Sequence, residues 1–239
     1  MEAIEYLYEP KVDLIDHMGN DTAIVKAARV SLKGANEVYL KNEELGRRES
    51  GLINYLLREK HGSPFEHTSM TFYVKAPIFV FREFQRHRIA SYNEMSGRYT
   101  QLPGEFYLPG ELRPLINVGT SSKPQMAPGT EDQHYEMCSD AVEVYELAWT
   151  KYNKMLNDGI ANELARIVLP VGIFSQMYVT MNLRGLFNFL SLRTQEEGAA
   201  HISRPQYEIE QVARMMEARA SSLFPAAFAA FNENGRVAP

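Results

Sequence analysis

The feature that most constrains the fold is a long helical pattern in the second half of the sequence. Apolar side chains recur along it every three or four residues, and they are Tyr135, Cys138, Val142, Tyr145, Trp149, Tyr152 and Leu156. Thr130 and Gln133 have the spacing of a capping box at its start, and Gly159 follows its end. We predict one long helix that buries this stripe in the core or in an interface, with the core favoured.

Shorter patterns before and after this helix predict the other elements. Ile4, Tyr6 and Tyr8 alternate as an opening strand does, and residues 67–75 and 176–181 alternate more cleanly. Pro77 suits the first turn of a helix, which we expect to run to about Arg88 and to open into a polar loop ending at Gly97. Further helices are predicted at 21–32, 41–60, 161–168, 184–193, 204–220 and 225–232.

The order of these elements sets the fold class. Helices and a few strands follow one another without a regular βαβ alternation, so we predict an α+β fold. The expected architecture is a helix-rich single domain over residues 1–239 with a small mixed or antiparallel sheet. Residues 101–130 are rich in Pro, Gly and Ser, which predicts a long, mobile surface excursion.

Composition excludes several classes of protein. No run of about 18 apolar residues is present, so we expect no membrane span. The first residues lack the basic and apolar regions of a signal peptide, and a single cysteine, Cys138, excludes an intrachain disulfide framework. We therefore expect a cytoplasmic protein. The formal net charge of -5 argues against non-specific binding to nucleic acid.

The stretch RHRIASYNEMSGRY, from Arg86 to Tyr99, concentrates the chemistry. It combines the fixed cations Arg86, Arg88 and Arg98 with a titratable histidine, hydroxyls, one carboxylate and a glycine. Guanidinium groups suit phosphate oxygens, and a glycine lets backbone N–H groups approach an anion. The mixture predicts a site for a phosphorylated heterocycle. The alternative is a solvated helix end with surface ion pairs.

The same stretch resembles the signature RHRxxSxNExSxRY of flavin-dependent thymidylate synthases, and every fixed position matches. Other blocks resemble the family as well: AARVS at 27–31, HGSPFEH at 61–67, ELARIVLP at 163–170 and NLRGLFNFLSLR at 182–193. The resemblance implies the thymidylate synthase-complementing fold. It also implies reductive methylation of dUMP to dTMP with FAD, methylenetetrahydrofolate as carbon donor and NADPH as reductant. The implied assembly is a homotetramer with sites between subunits.

The resemblance further implies two overlapping sets of site residues. The flavin set is Ser63, Arg86, His87, Arg88, Glu94, Asn182, Arg184 and Asn188. The dUMP set is Glu83, Arg86, Glu94, Met95, Ser96, Gly97, Arg98, Arg166 and Arg193. Arg193 is also the expected catalytic residue, which polarises the pyrimidine. Two features depart from the family pattern: Glu83 replaces a common glutamine, and segment 194–207 appears expanded.

Local patterns support part of this assignment. Arg184 and Asn188 are four residues apart and therefore share one face of a helix. The first turn of that helix, 182–184, is expected to offer free N–H groups to a phosphate or a flavin carbonyl. Two other interpretations stay open: Asn188 as a surface amide, and Arg193 as a cation that simply favours a helix C-terminus.

Two further chemistries are disfavoured by the sequence. A thiolate mechanism needs an exposed, activated cysteine, whereas Cys138 lies in the predicted buried stripe. His61, Glu66 and His67 do not have the spacing of a metal site, so we expect no metal. The rival functions are a flavin- or nucleotide-binding protein without synthase turnover and a nucleic-acid-binding module.

Overall fold

The computed structural model describes residues 3–33 and 45–239. Eight α-helices lie within these residues, with two short 3₁₀ helices at Ser63–Glu66 and Arg166–Val168. The α-helices are α1 (Asp21–Lys33), α2 (Arg47–Arg58), α3 (Ile78–Phe84), α4 (Glu131–Asn157), α5 (Asn162–Ala165), α6 (Leu183–Arg193), α7 (Tyr207–Ser221) and α8 (Pro225–Glu233). Within the described ranges no helix has the length and apolarity needed to cross a membrane.

The strands form one four-stranded sheet and two pairs. The same described residues contain β1 (Glu5–Leu7), β2 (Lys11–Met18), β3 (Ser69–Pro77), β4 (Ser91–Glu94), β5 (Glu105–Tyr107), β6 (Ile116–Asn117), β7 (Met126–Ala127) and β8 (Phe174–Met181). The strand order of the larger sheet is β2-β3-β8-β4. β1 pairs in parallel with β5, and β6 pairs antiparallel with β7. The predicted α+β class is confirmed.

The chain divides into two compact units. Of the described residues, the first unit contains 3–11, 74–86 and 93–177, and the second contains 12–33, 45–73, 87–92 and 178–239. The organisation of residues 1–239 as a single domain stays a prediction.

The first unit has its core against the later turns of α4. The fully or nearly buried members of this core are Leu102, Phe106, Trp149, Tyr152, Ala165 and Ile173. Tyr145 stacks on Phe106 with ring centroids 4.7 Å apart. The capping box of Thr130 and Gln133 and the positive φ of Gly159 are present as predicted.

The prediction that the core buries the whole stripe of α4 is wrong in its first half, and burial of that half in an interface stays a prediction. Tyr135 is 74% exposed, and Cys138 is half-buried rather than buried. The core cluster meets the helix only from Tyr145 onward, so the earlier turns keep their apolar side chains partly in solvent. The regular apolar period of α4 therefore extends beyond the turns that pack against the core.

The second unit has an aromatic core around Phe187 of α6. Its ring stacks on Phe231 at 4.3 Å between centroids and meets Phe228 edge-on at 5.1 Å. Asp21, the first residue of α1, is buried and accepts hydrogen bonds from the backbone N–H groups of Ala226 and Ala227 at the start of α8. These contacts fix α6 and α8 in one unit.

Several predicted boundaries change. The helix expected to run to about Arg88 ends at Phe84, and the predicted polar loop contains strand β4. Strand β2 was not predicted, because Lys11–Met18 mixes charged and apolar residues with little alternation on its second half. The helix predicted at 41–60 is observed as Arg47–Arg58, while residues 41–44 lie outside the described residues.

Residues 101–130 are not entirely a surface segment. Phe106 is fully buried and Leu108 is 6% exposed, because β5 pairs with β1 inside the first unit. The β6–β7 pair has exposed or half-buried residues, as a surface excursion requires. The predicted mobility of this segment stays a prediction.

Candidate functional site

The signature begins just after α3 in the first unit. Glu83 lies half-buried in the last turn of α3, and its carbonyl accepts a hydrogen bond from the Arg86 backbone N–H at 3.3 Å. This turn leaves the Arg86 side chain exposed. A guanidinium in that position is able to bind an anion without first losing a buried contact.

Glu94 is fixed from strand β8. The buried hydroxyl of Ser175 donates a hydrogen bond to Glu94 Oε1 at 2.8 Å, and Met95 N–H donates to the carbonyl of Gln176 at 2.8 Å. The hydrogen bond from Ser175 therefore fixes the direction of the Glu94 carboxylate. Ser175 was missed by the sequence analysis, since one serine in an apolar strand carries no motif.

A tight turn follows at Ser96, Gly97 and Arg98. Ser96 Oγ accepts the Arg98 backbone N–H at 3.3 Å, and the Ser96 carbonyl accepts N–H groups from Tyr99 and Thr100. Gly97 is buried, and a Cβ on it would come within 3.1 Å of the Leu102 side chain. The turn is therefore compact and backbone-rich.

Two exposed arginines, Arg98 and Arg166, belong to the same unit as this turn. Arg98 Nε donates to Glu163 Oε2 at 2.6 Å, with the arginine side chain 58% exposed. Arg166 is exposed and follows Glu163 by three residues, at the start of the second 3₁₀ helix. Because exposed ion pairs contribute little free energy, a bound phosphate is able to replace Glu163 at Arg98 at small cost.

In the second unit, the central contact joins His87 to Arg193 at the end of α6. Arg193 Nε donates a hydrogen bond to His87 Nε2 at 3.0 Å, and the imidazole meets the Phe189 ring edge-on at 4.8 Å. His87 is only 5% exposed, and its Nδ1 has no hydrogen-bond partner among the described residues. Burial, and then the charge of Arg193, lower the pKa of His87 to about 4 from 6.5.

The residues after His87 turn back on themselves. The Tyr92 hydroxyl donates to the carbonyl of His87 at 2.6 Å, and the Arg88 side chain is exposed. Ile89 O would lie 2.9 Å from a Cβ at Gly185, so a glycine is required where this segment passes the first turn of α6.

The start of α6 is already capped, which corrects one prediction. Asn182 Oδ1 accepts the Gly185 N–H at 2.8 Å, and the buried Thr68 hydroxyl accepts the Leu183 N–H at 3.1 Å. The N–H groups of Leu183 and Gly185 are therefore not free for a ligand. Asn182 acts as an N-cap, and Thr68 completes the cap from a residue distant in sequence.

Arg184 lies in the same turn and contacts the HGSPFEH block. It donates to Glu66 Oε1 at 2.5 Å and to the carbonyl of Pro239 at 2.8 Å. A Cβ on Gly62 would come within 2.6 Å of the Arg184 guanidinium, so the glycine allows the turn that carries Ser63 to pack against this side chain. A guanidinium has five N–H donors, and these two bonds still allow a third partner.

Each unit thus brings together part of the predicted set. The first unit holds Glu83, Arg86, Glu94, Met95, Ser96, Gly97, Arg98 and Arg166. The second holds Ser63, His87, Arg88, Asn182, Arg184, Asn188 and Arg193, with Ser63, Arg88 and Asn188 exposed. Leu186, Phe189 and Leu190 form the buried side of α6, as predicted. Within residues 3–33 and 45–239, no group of three or more His, Cys, Asp or Glu side chains is arranged to hold a metal ion.

Cys138 lies on α4 in the first unit. Its sulfur is 3.9 Å from the ring nitrogens of His134, and burial raises the pKa of the thiol. A raised pKa disfavours the thiolate that a nucleophile requires.

We therefore expect Cys138→Ala to keep at least about half of the wild-type kcat, because a thiol that stays protonated does not act as the nucleophile. Cys138→Ser is the matched control, because it keeps the size of the side chain without the thiol. Steady-state rates of both variants check this expectation. Complete loss of activity in both folded variants would restore a thiolate route.

Comparison with known proteins decides the family. A family model described as "Thymidylate synthase complementing protein" matches residues 13–226. The chain belongs to this family. A flavin-dependent thymidylate synthase of Streptomyces avermitilis is 52% identical over 231 residues, which cover 95% of this chain and 93% of that protein. The flavin-dependent thymidylate synthase of Streptomyces coelicolor is 49% identical over 238 residues, covering 99% and 96%.

A solved structure agrees with membership of the thymidylate synthase complementing family. The UMP/dUMP methylase PolB from Streptomyces cacaoi, bound with 5-Br dUMP, is 44% identical and has a TM-score of 0.93. The alignment covers 99% of this chain and 100% of that one. The predicted family and fold are confirmed, and the roles of individual residues stay predictions.

Proposed function

We propose that this protein is a flavin-dependent thymidylate synthase that methylates dUMP at carbon five to give dTMP. The observation that carries the proposal is the Arg193–His87 contact: a guanidinium is held by a buried, neutral imidazole. The family match over residues 13–226 supports the same conclusion. Methylenetetrahydrofolate is the proposed carbon donor and NADPH the proposed reductant.

FAD is the proposed cofactor, and residues of the second unit fit it. Arg184 and the neighbouring Ser63 turn combine a guanidinium with a hydroxyl, which suits the oxygens of a pyrophosphate. We assign Asn182, Asn188, His87 and Arg88 to the same cofactor, together with Arg86 and Glu94 from the first unit. When bound and reduced, FAD supplies the hydride that completes the methyl group.

The dUMP site is proposed to consist mainly of residues of the first unit. Arg86, Arg98 and Arg166 are exposed cations for the phosphate. The compact turn at Ser96 and Gly97 offers backbone N–H groups and a hydroxyl to the same anion. The remaining proposed contacts are Glu83, Glu94, Met95 and Arg193.

Arg193 is the proposed catalytic residue. Methylation requires carbon five of the ring to act as a nucleophile, which places negative charge on the pyrimidine as the new bond forms. A fixed guanidinium stabilises that charge because it is oriented before the reaction begins. The hydrogen of carbon five leaves as a proton, and the ring regains its neutral form. The bond between the methylene carbon and the folate nitrogen breaks as that carbon accepts the hydride, so tetrahydrofolate leaves and the methyl group is complete. No covalent bond from the protein is needed in this route.

The assembly and location of the protein are proposed from the same resemblance. We propose a homotetramer with sites between subunits and a cytoplasmic location. The acidic balance of the chain, with a formal net charge of -5, supports small-molecule substrates rather than nucleic acid.

The test is turnover by the FAD-loaded protein under anaerobic conditions. With dUMP, methylenetetrahydrofolate and NADPH present, we expect dTMP to accumulate by chromatography, and omission of any one component should prevent it. Bleaching of the flavin by NADPH without any dTMP would instead indicate a binding protein that lacks synthase turnover. A colourless protein that does not bind added FAD would contradict the proposal.

UMP is a second candidate substrate, because the similar Streptomyces cacaoi structure is of a UMP/dUMP methylase. The same assay with UMP in place of dUMP separates the two. A larger kcat/KM for dUMP supports thymidylate synthesis, and a larger value for UMP supports methylation of the ribonucleotide.

A further inference from the structure

We propose that His87 is a positioning residue for Arg193: its Nε2 lone pair receives the Arg193 Nε–H and fixes the plane of the guanidinium. This inference rests on the proposed function for its consequence in catalysis, but the contact itself belongs to the protein alone. The resemblance assigned His87 only to the flavin. The structure gives it a second partner, at 3.0 Å.

The direction of this hydrogen bond determines the tautomer. An arginine side chain has donors and no acceptor, so the imidazole nitrogen that faces it must be the acceptor. His87 Nε2 therefore carries the lone pair, and the ring proton lies on Nδ1. An imidazolium has N–H groups on both nitrogens and is unable to accept the bond.

The surroundings of Nδ1 keep the ring neutral. Many positioning histidines donate Nδ1–H to a carboxylate, which raises the basicity of the ring. Here Nδ1 is buried and has no hydrogen-bond partner among the described residues. The groups that face His87 from α6 are the apolar Phe189 ring and the cationic Arg193. Burial beside a cation opposes a second positive charge, consistent with a pKa of about 4 for His87.

The arrangement explains why a histidine is suitable at this position. A carboxylate would accept the same bond but would neutralise Arg193, and the guanidinium would then stabilise developing negative charge less well. A neutral imidazole orients the guanidinium without placing a negative charge beside it. Phe189 limits rotation of the ring from its edge, with 4.8 Å between centroids.

Three variants at one position separate positioning from packing. His87→Gln places an amide oxygen near the position of Nε2 and keeps an acceptor for Arg193. His87→Asn reaches only the position of Nδ1, and His87→Phe keeps the ring without any acceptor. We expect His87→Phe and His87→Asn to lower kcat by about 100-fold, because a displaced catalytic group costs about that much. We expect kcat of His87→Gln to be at least tenfold higher than that of His87→Phe or His87→Asn.

The readouts beyond the rate are KM and the state of the imidazole. KM for dUMP should change much less than kcat in His87→Asn and His87→Phe, and circular dichroism should show all three variants folded. The flavin-loaded wild-type enzyme is labelled with ¹⁵N-histidine, and the NMR signal that is missing from the spectrum of His87→Gln is assigned to His87. At pH 7 this signal should report a neutral ring with the proton on Nδ1. In Arg193→Ala the His87 signal should instead report a mixture of the two neutral tautomers.

Two results would overturn the inference. One is a folded His87→Gln with a kcat as low as that of His87→Phe. The other is a wild-type signal from an imidazolium, or from a ring protonated on Nε2. If wild-type protein makes no dTMP although its His87 has the expected tautomer, the proposed function fails while the contact stands.

Discussion

Arg193→Ala is expected to lower kcat for dTMP formation by about 10²- to 10³-fold, the effect of removing one preorganised group that stabilises developing charge. The side chain is half-buried at the last residue of α6, and His87 accepts a hydrogen bond from its Nε. Truncation removes the positive charge and leaves His87 Nε2 without this donor. The measurement is single-turnover and steady-state formation of dTMP.

Matched variants distinguish a catalytic loss from unfolding. Arg193→Lys keeps a positive charge but has neither the planar fork nor an Nε at the same point, so it should recover only part of the rate. Arg58→Ala removes an arginine whose side chain is 59% exposed and should leave kcat unchanged. FAD absorbance of Arg193→Ala should match that of the wild type. Full turnover by a folded Arg193→Ala protein would remove the assigned role.

Local signals in the sequence were sufficient for most helices. Thr130 with Gln133 and Gly159 correctly marked the ends of α4, and Pro77 immediately precedes α3. These signals work because a cap or a turn is formed by residues adjacent in sequence. Asn182 was recognised as a flavin residue by resemblance, although its observed contact is that of an N-cap.

Burial on α4 could not be obtained from its apolar period. Tyr135 and Trp149 occupy equivalent positions in the pattern, but only Trp149 is buried. The difference arises from Phe106, a residue distant in sequence that packs near Trp149 with 6.1 Å between ring centroids. An apolar period shows which face of a helix is able to pack, and long-range contacts decide how much of it does.

In the candidate site, too, local sequence motifs are informative and long-range contacts are not predicted by them. The signature predicts Glu94 and Arg98 as site residues, but it gives no indication of Ser175 and Glu163, which contact them from elsewhere in the chain. Ser175 lies in no motif, and the ELARIVLP block that begins at Glu163 does not indicate which residue Glu163 contacts. Similarly, the resemblance predicts separate roles for His87 and Arg193, whereas their hydrogen bond depends on how α6 packs in the second unit.

Arg236 is expected to contribute strongly to stability, although no motif includes it. It is 8% exposed and makes two hydrogen bonds to the carboxylate of Glu217, at 2.7 and 2.9 Å. It also donates to Asn232 at 2.6 Å and to Thr194 at 3.0 Å. These bonds join α7 and α8 to the residue that follows Arg193 at the end of α6.

Arg236→Met should lower the free energy of unfolding by about 3 kcal/mol, which is near the lower limit of the usual cost of removing one partner of a buried ion pair. A cost near this limit is expected because Arg214 Nη1 lies 3.8 Å from Glu217 and still offsets its charge. Methionine keeps much of the apolar volume of arginine. Both residues have a Cβ and must adopt the positive φ of 55° at this position, so the backbone strain largely cancels between the wild type and the variant. Urea unfolding of the ligand-free protein, with an unchanged m value, measures the difference.

The double variant Arg236→Met with Glu217→Leu distinguishes an unpaired charge from lost packing. Once both charges are removed, no buried carboxylate lacks its partner, and about half or more of the lost stability should return. Arg58→Met is the surface control and should change stability by no more than about 0.5 kcal/mol. If the double variant is as unstable as the single one, the contribution of Arg236 comes instead from its bonds to Asn232 and Thr194 and from the Phe231 ring, whose centroid lies 4.9 Å from the guanidinium carbon. If Arg236→Met is as stable as Arg58→Met, the network does not hold the end of α6.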